Sequence, residues 1–302
     1  MTWSRNKARV LGSACCFCIA FALGGMAHAG NLITQEIRPA ETDPSITRFN
    51  EPSVIVFDDE TPVDSPLVVF MPGTDGKPRN AMGLLRVVAQ QGYRVIGLEY
   101  DDEPAVVQVC PRSPDANCSA KFRERRIFGG DRGSPVENTQ AETVVNRLVK
   151  LLVYLQEHDA APHWDGYLLD GAPNWNRIVV SGLSQGAGMA AYIAKRKLVA
   201  RVVLFSSPWD FQRASRQLAP WIGAPSATPP DRWFGEYHRR ENTAALIARA
   251  YEVLQIPKSN VRIFDLDLPK DMKFKSENPY HGSTIRITAY TPEWQFLFGR
   301  FP

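Results

Sequence analysis

The sequence predicts an α/β fold in which a mostly parallel central sheet is covered by helices on both faces. Short, continuous apolar runs alternate along the chain with stretches of helical periodicity. A strand that is buried on both faces has such a run, and a parallel strand pair needs a crossover of about a dozen residues or more. Residues 30–302 suit one large domain with a well-buried core, and we expect no second domain.

The first two predicted strands cover residues 66–71, which end at Pro72-Gly73, and residues 93–98. Residues 79–91 between them are compatible with a helix. A second helix is predicted next, because Asn138 or Thr139 with Glu142 forms a capping-box pattern before an apolar stretch. The apolar residues of that stretch recur at helical spacing: Val144, Val145, Leu148, Leu151, Leu152 and Leu155.

The remaining elements continue this alternation. A β-branched strand at residues 177–183 leads into a helix that ends near residue 197, and another strand covers residues 199–206. Residues 209–231 are rich in proline, and we expect an irregular loop over one end of the sheet. A short strand at 232–237, a helix at 243–254 and a strand at 261–266 follow, while residues 30–50 are interpreted as an arm packed on the surface.

The strand at 177–183 runs into the pattern Gly-x-Ser-x-Gly, formed by Gly182, Ser184 and Gly186, and a helix rich in small residues follows. A chain that turns from strand to helix within a few residues leaves no room for side chains at the two glycines. The same turn exposes the serine hydroxyl at the head of the helix. The pattern therefore indicates a nucleophile elbow with Ser184 as the nucleophile. The alternative is an ordinary glycine-bracketed turn, since so short a pattern also occurs by chance.

This stretch resembles the elbow of the α/β-hydrolase superfamily, and most closely that of its secreted serine esterase and lipase-like branch. The resemblance covers residues 66 to 281 in element order, although only the elbow and the loop after Met71 carry specific motifs. It implies the α/β-hydrolase fold and a catalytic triad in the chain order serine, acid, histidine.

Only His238 and His281 follow the elbow, and His281 lies in a loop after the last predicted strand, between a proline and a glycine that suit a fixed, exposed turn. We expect His281 to be the general base, against the alternative of a surface histidine. The resemblance places the acid after the penultimate strand, where Glu241 lies. Asp210, at the end of the preceding strand, is the second candidate. Asp265 and Asp267 are weaker candidates.

An acyl-transfer site also needs fixed donors for the oxygen on which negative charge develops. The backbone N–H of Gln185, directly after the nucleophile, is one expected donor. The loop Met71-Pro72-Gly73-Thr74 resembles the His-Gly-type loop after the third strand of the superfamily, which makes the N–H of Thr74 the second. Pro72 stands where many relatives have histidine, but the donor belongs to the backbone. A plain Pro-Gly turn is the alternative.

Residues 1–29 are typical of an export signal: three basic residues precede an apolar run, and Ala27-His28-Ala29 supplies a cleavage site before Gly30. The alternative is a membrane anchor, but the run is short and interrupted by glycines. We therefore expect a secreted or periplasmic protein without a membrane anchor after cleavage. In that oxidising compartment Cys110 and Cys118 are expected to form a disulfide, since two thiols without a neighbouring histidine make a poor metal site.

Charge and composition exclude several classes of function. The chain has 35 Lys and Arg and 32 Asp and Glu, and removal of residues 1–29 takes away three basic residues and no acidic one. The remaining net charge is zero, so nothing indicates a nucleic-acid partner. No nucleotide fingerprint or metal-ligand cluster is visible, and we expect neither a cofactor nor a metal.

Five tryptophans are expected in loops near the site, where aromatic walls suit many ester substrates, although each is more typical of packing: Trp164, Trp175, Trp209, Trp221 and Trp233. The predicted function is hydrolysis of a small-molecule or polymeric carboxylic ester through an acyl-enzyme on Ser184. A peptidase or other acyl hydrolase with the same triad is the enzymatic alternative. A non-catalytic binding protein with the same fold is the alternative from another class.

Overall fold

A computed structural model describes residues 1–2, 30–130, 133–159, 161–272 and 276–299. Apart from Met1 and Thr2, the expected export signal lies outside the described residues. The central sheet has eight strands. In chain order they are β1 (Leu32–Ile37), β2 (Ser53–Asp58), β3 (Leu67–Met71), β4 (Arg94–Gly97), β5 (Ile178–Leu183), β6 (Arg201–Phe205), β7 (Trp233–His238) and β8 (Val261–Phe264).

The spatial order of the strands is β1-β2-β4-β3-β5-β6-β7-β8. The pairs formed by β2 with β1 and with β4 are antiparallel, and the pairs from β4 through β3 to β8 are parallel. This mostly parallel sheet confirms the predicted fold class, and the chain has the α/β-hydrolase fold. The carboxyl ends of β3, β5, β6 and β7 meet at one edge, where ligands bind in open α/β sheets.

In the part of the chain that the structure describes, ten α-helices connect or flank the strands. They are α1 (Pro39–Thr42), α2 (Met82–Ala89), α3 (Val106–Val109), α4 (Cys118–Phe128), α5 (Val144–His158), α6 (Gln185–Arg196), α7 (Pro220–Gly223), α8 (Ala244–Val253), α9 (Pro279–Ser283) and α10 (Thr291–Phe298) among the described residues. Short 3₁₀ helices cover Pro78–Ala81, Trp164–Tyr167, Trp175–Arg177, Pro230–Arg232, Lys258–Asn260 and Thr288–Tyr290.

The sheet separates two apolar cores. Successive side chains of a strand point to opposite faces, so Leu67 and Val69 of β3 enter one core while Val68 and Phe70 enter the other. Helices α4, α5, α6 and α8 cover the first core, and α2 and α10 cover the second. Burial on both faces explains why the central strands are continuous apolar runs in the sequence.

The surface arm predicted for residues 30–50 is wrong. Leu32–Ile37 forms β1, which pairs with β2 along its whole length at the edge of the sheet. The capping-box prediction is also wrong. Helix α5 begins at Val144, and its N-cap is Thr143, whose hydroxyl accepts a hydrogen bond from the Asn146 N–H at 3.1 Å.

The proline-rich segment 209–231 is more ordered than predicted. A hairpin joins Phe211–Gln212 to Gln217–Leu218, and α7 follows it directly. Past the last strand, residues 278–283 were expected to form an exposed turn, but they contain the short helix α9. Proline at the first helical position explains this difference, since its fixed φ suits a helix start. Helix α10 was not predicted.

Arg147 of α5 is 2% exposed and ties the antiparallel part of the sheet to the helical layer. Its guanidinium donates to the carbonyl oxygens of Arg48 at 2.7 Å, Phe49 at 2.8 Å, Glu99 at 3.3 Å and Glu142 at 3.3 Å. These acceptors lie before β2, after β4 and before α5. A buried carbonyl oxygen without a hydrogen-bond donor is costly. This one side chain therefore stabilises three segments by donating hydrogen bonds to their backbone carbonyl oxygens.

We predict that Arg147→Met destabilises the protein by at least about 3 kcal/mol, because four backbone carbonyls, two of them in buried hydrogen bonds, lose their donor. Lys150→Met is the matched control, since Lys150 is an exposed residue of the same helix. That control should change the unfolding free energy by no more than about 0.5 kcal/mol. Urea denaturation of both variants measures the difference. Equal unfolding free energies for the two variants would show that the Arg147 hydrogen bonds do not stabilise this layer.

Candidate active site

Ser184 lies at the carboxyl end of β5, at the N-cap position of α6. Its backbone has φ 54° and ψ −116°, a combination that is strained for a residue with a side chain. Two backbone hydrogen bonds hold it there. The Ser184 N–H donates to the carbonyl of Phe205 at the end of β6 at 2.9 Å, and the Gly188 N–H donates to the Ser184 carbonyl at 3.0 Å. The neighbouring strand and the helix therefore fix the serine in a strained turn.

The glycines of the elbow are required by the end of β3. A Cβ at Gly182 would lie 2.5 Å from the carbonyl oxygen of Met71, and a Cβ at Gly186 would overlap the same oxygen. A Cβ at Gly73, in the loop after β3, would lie 3.2 Å from the Ser184 Cβ. The loop after β3 is thus in direct contact with the elbow, as a site built from both segments requires.

His281 and Glu241 are brought together. Glu241 follows β7, His281 lies in α9, and the His281 Nδ1 is 2.6 Å from the Glu241 Oε2. The Glu241 side chain is 0% exposed and that of His281 is 20% exposed. Because a carboxylate oxygen only accepts, Nδ1 carries the imidazole proton in this bond. The Nε2 nitrogen is then the unprotonated one, which is the state a general base needs.

The second oxygen of Glu241 connects this pair to the elbow. Oε1 accepts from the Ser206 hydroxyl at 3.0 Å and from the His238 N–H at 2.8 Å. Ser206 comes directly after Phe205, whose carbonyl binds the Ser184 N–H. In the described part of the chain no hydrogen bond joins the Ser184 hydroxyl to His281, and such bonds often form only in the substrate complex.

Asp210, the second candidate for the acid, has other partners. Its carboxylate accepts from Arg123 Nε at 2.8 Å and Arg123 Nη2 at 2.5 Å, and from the Trp221 indole at 2.8 Å. The ion pair is buried on both sides. No bond from Asp210 to His281 is found among the residues that the structure describes.

Asp265 and Asp267 lie in exposed ion pairs. Asp265 is 3.7 Å from Arg239, and Asp267 is 2.7 Å from Arg240. Neither carboxylate bonds to His281 within the described ranges, so the structure pairs His281 with Glu241 among the four carboxylates considered.

His238 has both ring nitrogens engaged by the backbone. Nδ1 accepts from the Arg240 N–H at 3.1 Å, and Nε2 therefore donates to the Leu266 carbonyl at 3.0 Å. Burial lowers the pKa of this imidazole, and its ring stacks on Tyr280 with 4.4 Å between the centroids. His238 is a neutral residue of the interior whose backbone N–H supports Glu241.

Thr74 and Gln185 line one small, partly open cleft together with Ser184. Among the described residues, the backbone N–H of Thr74 and that of Gln185 have no hydrogen-bond acceptor. Gln185 is the first residue of α6, where an unpaired N–H at a helix start favours negative charge. Two free N–H groups therefore border the serine, as expected of an oxyanion hole.

Of the five tryptophans expected near the site, Trp209 lines this cleft. Trp221 lies one layer behind it as a donor to Asp210. The expectation is wrong for Trp164 and Trp233, which are fully buried, and Trp175 packs at the edge of the core.

Cys110 and Cys118 are joined by a disulfide with an S–S distance of 2.05 Å. Cys118 is the first residue of α4, the helix that carries Arg123. The link therefore fixes the start of a helix whose side chain reaches the cleft.

Sequence reasoning missed two buried acids near the site, although both follow or lie in strands that end at this edge. Asp102 accepts from the Gly76 N–H of the loop after β3 at 3.1 Å. Burial, and then the charge of Glu99, raise the pKa of Asp102 to about 7. Glu236 of β7 is fully buried, and burial and the charge of Glu241 raise its pKa well above the ordinary value. A protonated Glu236 places no second negative charge beside Glu241.

Within the described residues, no group of three or more His, Cys, Asp or Glu side chains is arranged to hold a metal ion. The helices of the described residues are too short or too polar to cross a membrane.

No protein-family model matches the sequence, and no curated protein matches it. Several solved structures are similar to this one. The structure of an S-formylglutathione hydrolase from Agrobacterium tumefaciens superposes with a TM-score of 0.48 and 12% sequence identity, over 91% of this chain and 97% of that chain. The structure of a bacterial heroin esterase has 12% sequence identity and a TM-score of 0.46, over 90% of this chain and 84% of that chain. The structure of a putative dienelactone hydrolase from Klebsiella pneumoniae has 13% sequence identity and a TM-score of 0.44, over 90% of this chain and 100% of that chain. The activities in these names belong to those proteins.

The raised pKa of Asp102 can be tested through the pH dependence of the protein's stability. Its folded-state pKa of about 7 lies above its ordinary value of 3.8, so the folded protein holds a proton that the unfolded chain releases between these values. The stability contributed by that proton is present at low pH and is lost as pH rises towards 7. We predict that the unfolding free energy of the wild type, relative to Asp102→Asn, falls between about pH 4 and pH 7 and is constant above.

Urea denaturation of both proteins across this range measures the difference. Asparagine keeps an acceptor for the Gly76 N–H but does not titrate. Parallel pH profiles for the two proteins would mean that Asp102 is ionised throughout this range. The stability of the protein would then not depend on the titration of Asp102.

Proposed function

We propose that this protein is an exported serine hydrolase that cleaves a carboxylic ester through an acyl-enzyme on Ser184. The observation that supports it most is the 2.6 Å bond between His281 and the buried Glu241 at the sheet edge that carries Ser184. A carboxylate that orients an imidazole near a half-buried, strained serine is the arrangement that nucleophilic catalysis needs.

In the acylation step, His281 Nε2 removes the Ser184 hydroxyl proton while Oγ bonds to the ester carbonyl carbon. The carbonyl oxygen becomes negative, and in this proposal the N–H groups of Thr74 and Gln185 stabilise it. The bond from carbon to the leaving oxygen then breaks, and the imidazolium gives its proton to the departing alcohol. Glu241 holds the ring orientation and stabilises the imidazolium during this step.

In the deacylation step, water replaces the alcohol. His281 removes a proton from water as the water oxygen attacks the acyl carbon, and the same N–H groups stabilise the second oxyanion. The bond to the Ser184 oxygen breaks, the serine regains its proton and the carboxylic acid leaves. His281 returns each proton that it removes, so the proposed reaction requires no cofactor.

Export is part of the proposal and rests on the sequence of residues 1–29. The disulfide between Cys110 and Cys118 is consistent with it, because such bonds persist in oxidising compartments. The substrate is accordingly a small-molecule or polymeric ester outside the cytosol, without a nucleic-acid partner or a membrane anchor in the mature protein.

A fluorophosphonate probe tests the proposed nucleophile, and we predict that it labels Ser184. Ser184→Ala should lose labelling and at least about 10³-fold of ester turnover, because only the covalent route is removed. Its thermal midpoint should remain that of the wild type. Ser181→Ala provides a matched control on the same strand, outside the elbow, and should keep the label. A folded wild-type protein that resists the probe would support a non-catalytic binding protein instead.

The acid is tested by two amide replacements. Glu241→Gln should lower kcat by about 10²–10⁴-fold at a nearly unchanged thermal midpoint, because an amide no longer holds His281 in the reactive tautomer. Asp210→Asn should act mainly on stability and substrate fit, since it leaves the buried Arg123 without a charge partner. Loss of turnover in folded Asp210→Asn, with full turnover in Glu241→Gln, would assign the acid to Asp210.

A further inference from the structure

The cleft beside Ser184 is lined by two residues whose buried nitrogen donors have no acceptor in the part of the chain that the structure describes. Gln185 is 4% exposed and Arg123 is 1% exposed, and both line the cleft. The Gln185 Nε2 and the Arg123 Nη1 have no hydrogen-bond partner among the described residues. A buried donor left unpaired costs about 1–3 kcal/mol, so two of them beside one nucleophile need an explanation.

Each donor is held in place by the rest of its own side chain. The Gln185 Oε1 accepts from the Val106 N–H at 3.3 Å, which leaves the amide nitrogen as the free end. Asp210 binds the Nε and Nη2 of Arg123, which leaves Nη1 as the free nitrogen. A Cβ at Gly188 would overlap this guanidinium, so glycine at that position makes room for it. The two donors are therefore fixed before a ligand arrives.

The charge of the cleft selects the kind of acceptor. Arg123 and Asp210 form a buried pair whose charges cancel. A carboxylate ligand would add a charge without a counterion to this buried site, which is costly. An uncharged oxygen that accepts hydrogen bonds, such as an ether, hydroxyl or carbonyl oxygen, provides an acceptor for such donors without adding charge.

We propose that this cleft binds an uncharged oxygen substituent of the substrate, a few bonds from the ester carbonyl. The proposal rests on the proposed function, because Ser184 must be the nucleophile for the cleft to hold part of an ester. It names the substrate class as oxygen-substituted esters rather than plain alkyl esters. The oxygen belongs either to the acyl group or to the alcohol, and the chemistry of recognition is the same for both.

Two pairs of esters, in which one CH₂ is replaced by oxygen at equal length, test this proposal. The acyl pair is 4-nitrophenyl methoxyacetate and 4-nitrophenyl butyrate, and the alcohol pair is 2-methoxyethyl acetate and butyl acetate. The ratio of kcat/KM within each pair is divided by the ratio of the hydroxide-catalysed rates, which removes intrinsic reactivity. The wild type should then prefer the oxygen ester of one pair by about ten-fold or more.

Gln185→Met removes one donor, together with the acceptor of the Val106 N–H, and keeps the backbone N–H and the volume of the side chain. The preference should fall by about ten-fold in this variant, because its cleft no longer distinguishes oxygen from CH₂ as well. Gln90→Met is the matched control, since Gln90 is exposed at the end of α2, and it should keep the wild-type preference. The pair that responds identifies the side of the ester that occupies the cleft.

A wild type that cleaves all four esters with no normalised preference overturns this proposal and leaves the proposed function intact. A preference that is equal in the wild type and in folded Gln185→Met also overturns it. A wild type that cleaves none of the esters and resists the fluorophosphonate probe overturns the proposed function, and this proposal with it. The wild-type ratio needs no variant, so the test stands even where a substitution in the cleft prevents folding.

Discussion

The buried carboxylate of Glu241 is the interaction on which the geometry of the site depends. It accepts hydrogen bonds from the Ser206 hydroxyl, the His238 N–H and the His281 ring. Ser206 follows β6, His238 ends β7 and His281 lies in α9, so the three donors belong to three separate parts of the chain. A buried carboxylate that loses a donor is strongly destabilised, so the three segments are held in one arrangement. Since Ser206 follows the residue that binds the Ser184 N–H, the same arrangement positions the histidine relative to the serine.

A second constraint is the close contact between the end of β3 and the elbow. The carbonyl of Met71 occupies the space that side chains at Gly182 and Gly186 would need. This contact places the loop with Thr74 beside Ser184, and the strained backbone of Ser184 is stabilised by the packed strands around it. The strained serine and the requirement for glycine on both sides of it therefore belong to the same close contact at the carboxyl edge of the sheet.

The sequence predicted the central strands because burial on both faces makes them continuous apolar runs, and it predicted the elbow because that turn tolerates only glycine at two positions. It predicted neither β1, whose mixture of polar and apolar residues is stabilised by long-range pairing with β2, nor β2 itself. The choice between Glu241 and Asp210 was open for a related reason. Both follow neighbouring strands, and only the fold shows that one meets an imidazole and the other a guanidinium. The unpaired donors of Gln185 and Arg123 likewise exist only through tertiary burial.

The proposed mechanism needs one acyl-transfer site, formed by Ser184, the pair of His281 and Glu241, and the N–H groups of Thr74 and Gln185. A crystal structure of the protein after reaction with an alkyl phosphonate tests this most directly, because the phosphonyl oxygen occupies the position of the oxyanion. We expect a bond from phosphorus to the Ser184 Oγ, with the phosphonyl oxygen about 2.7–3.1 Å from both N–H groups and the His281 Nε2 facing the adduct. An adduct on another residue, or a phosphonyl oxygen directed away from both N–H groups, would contradict it.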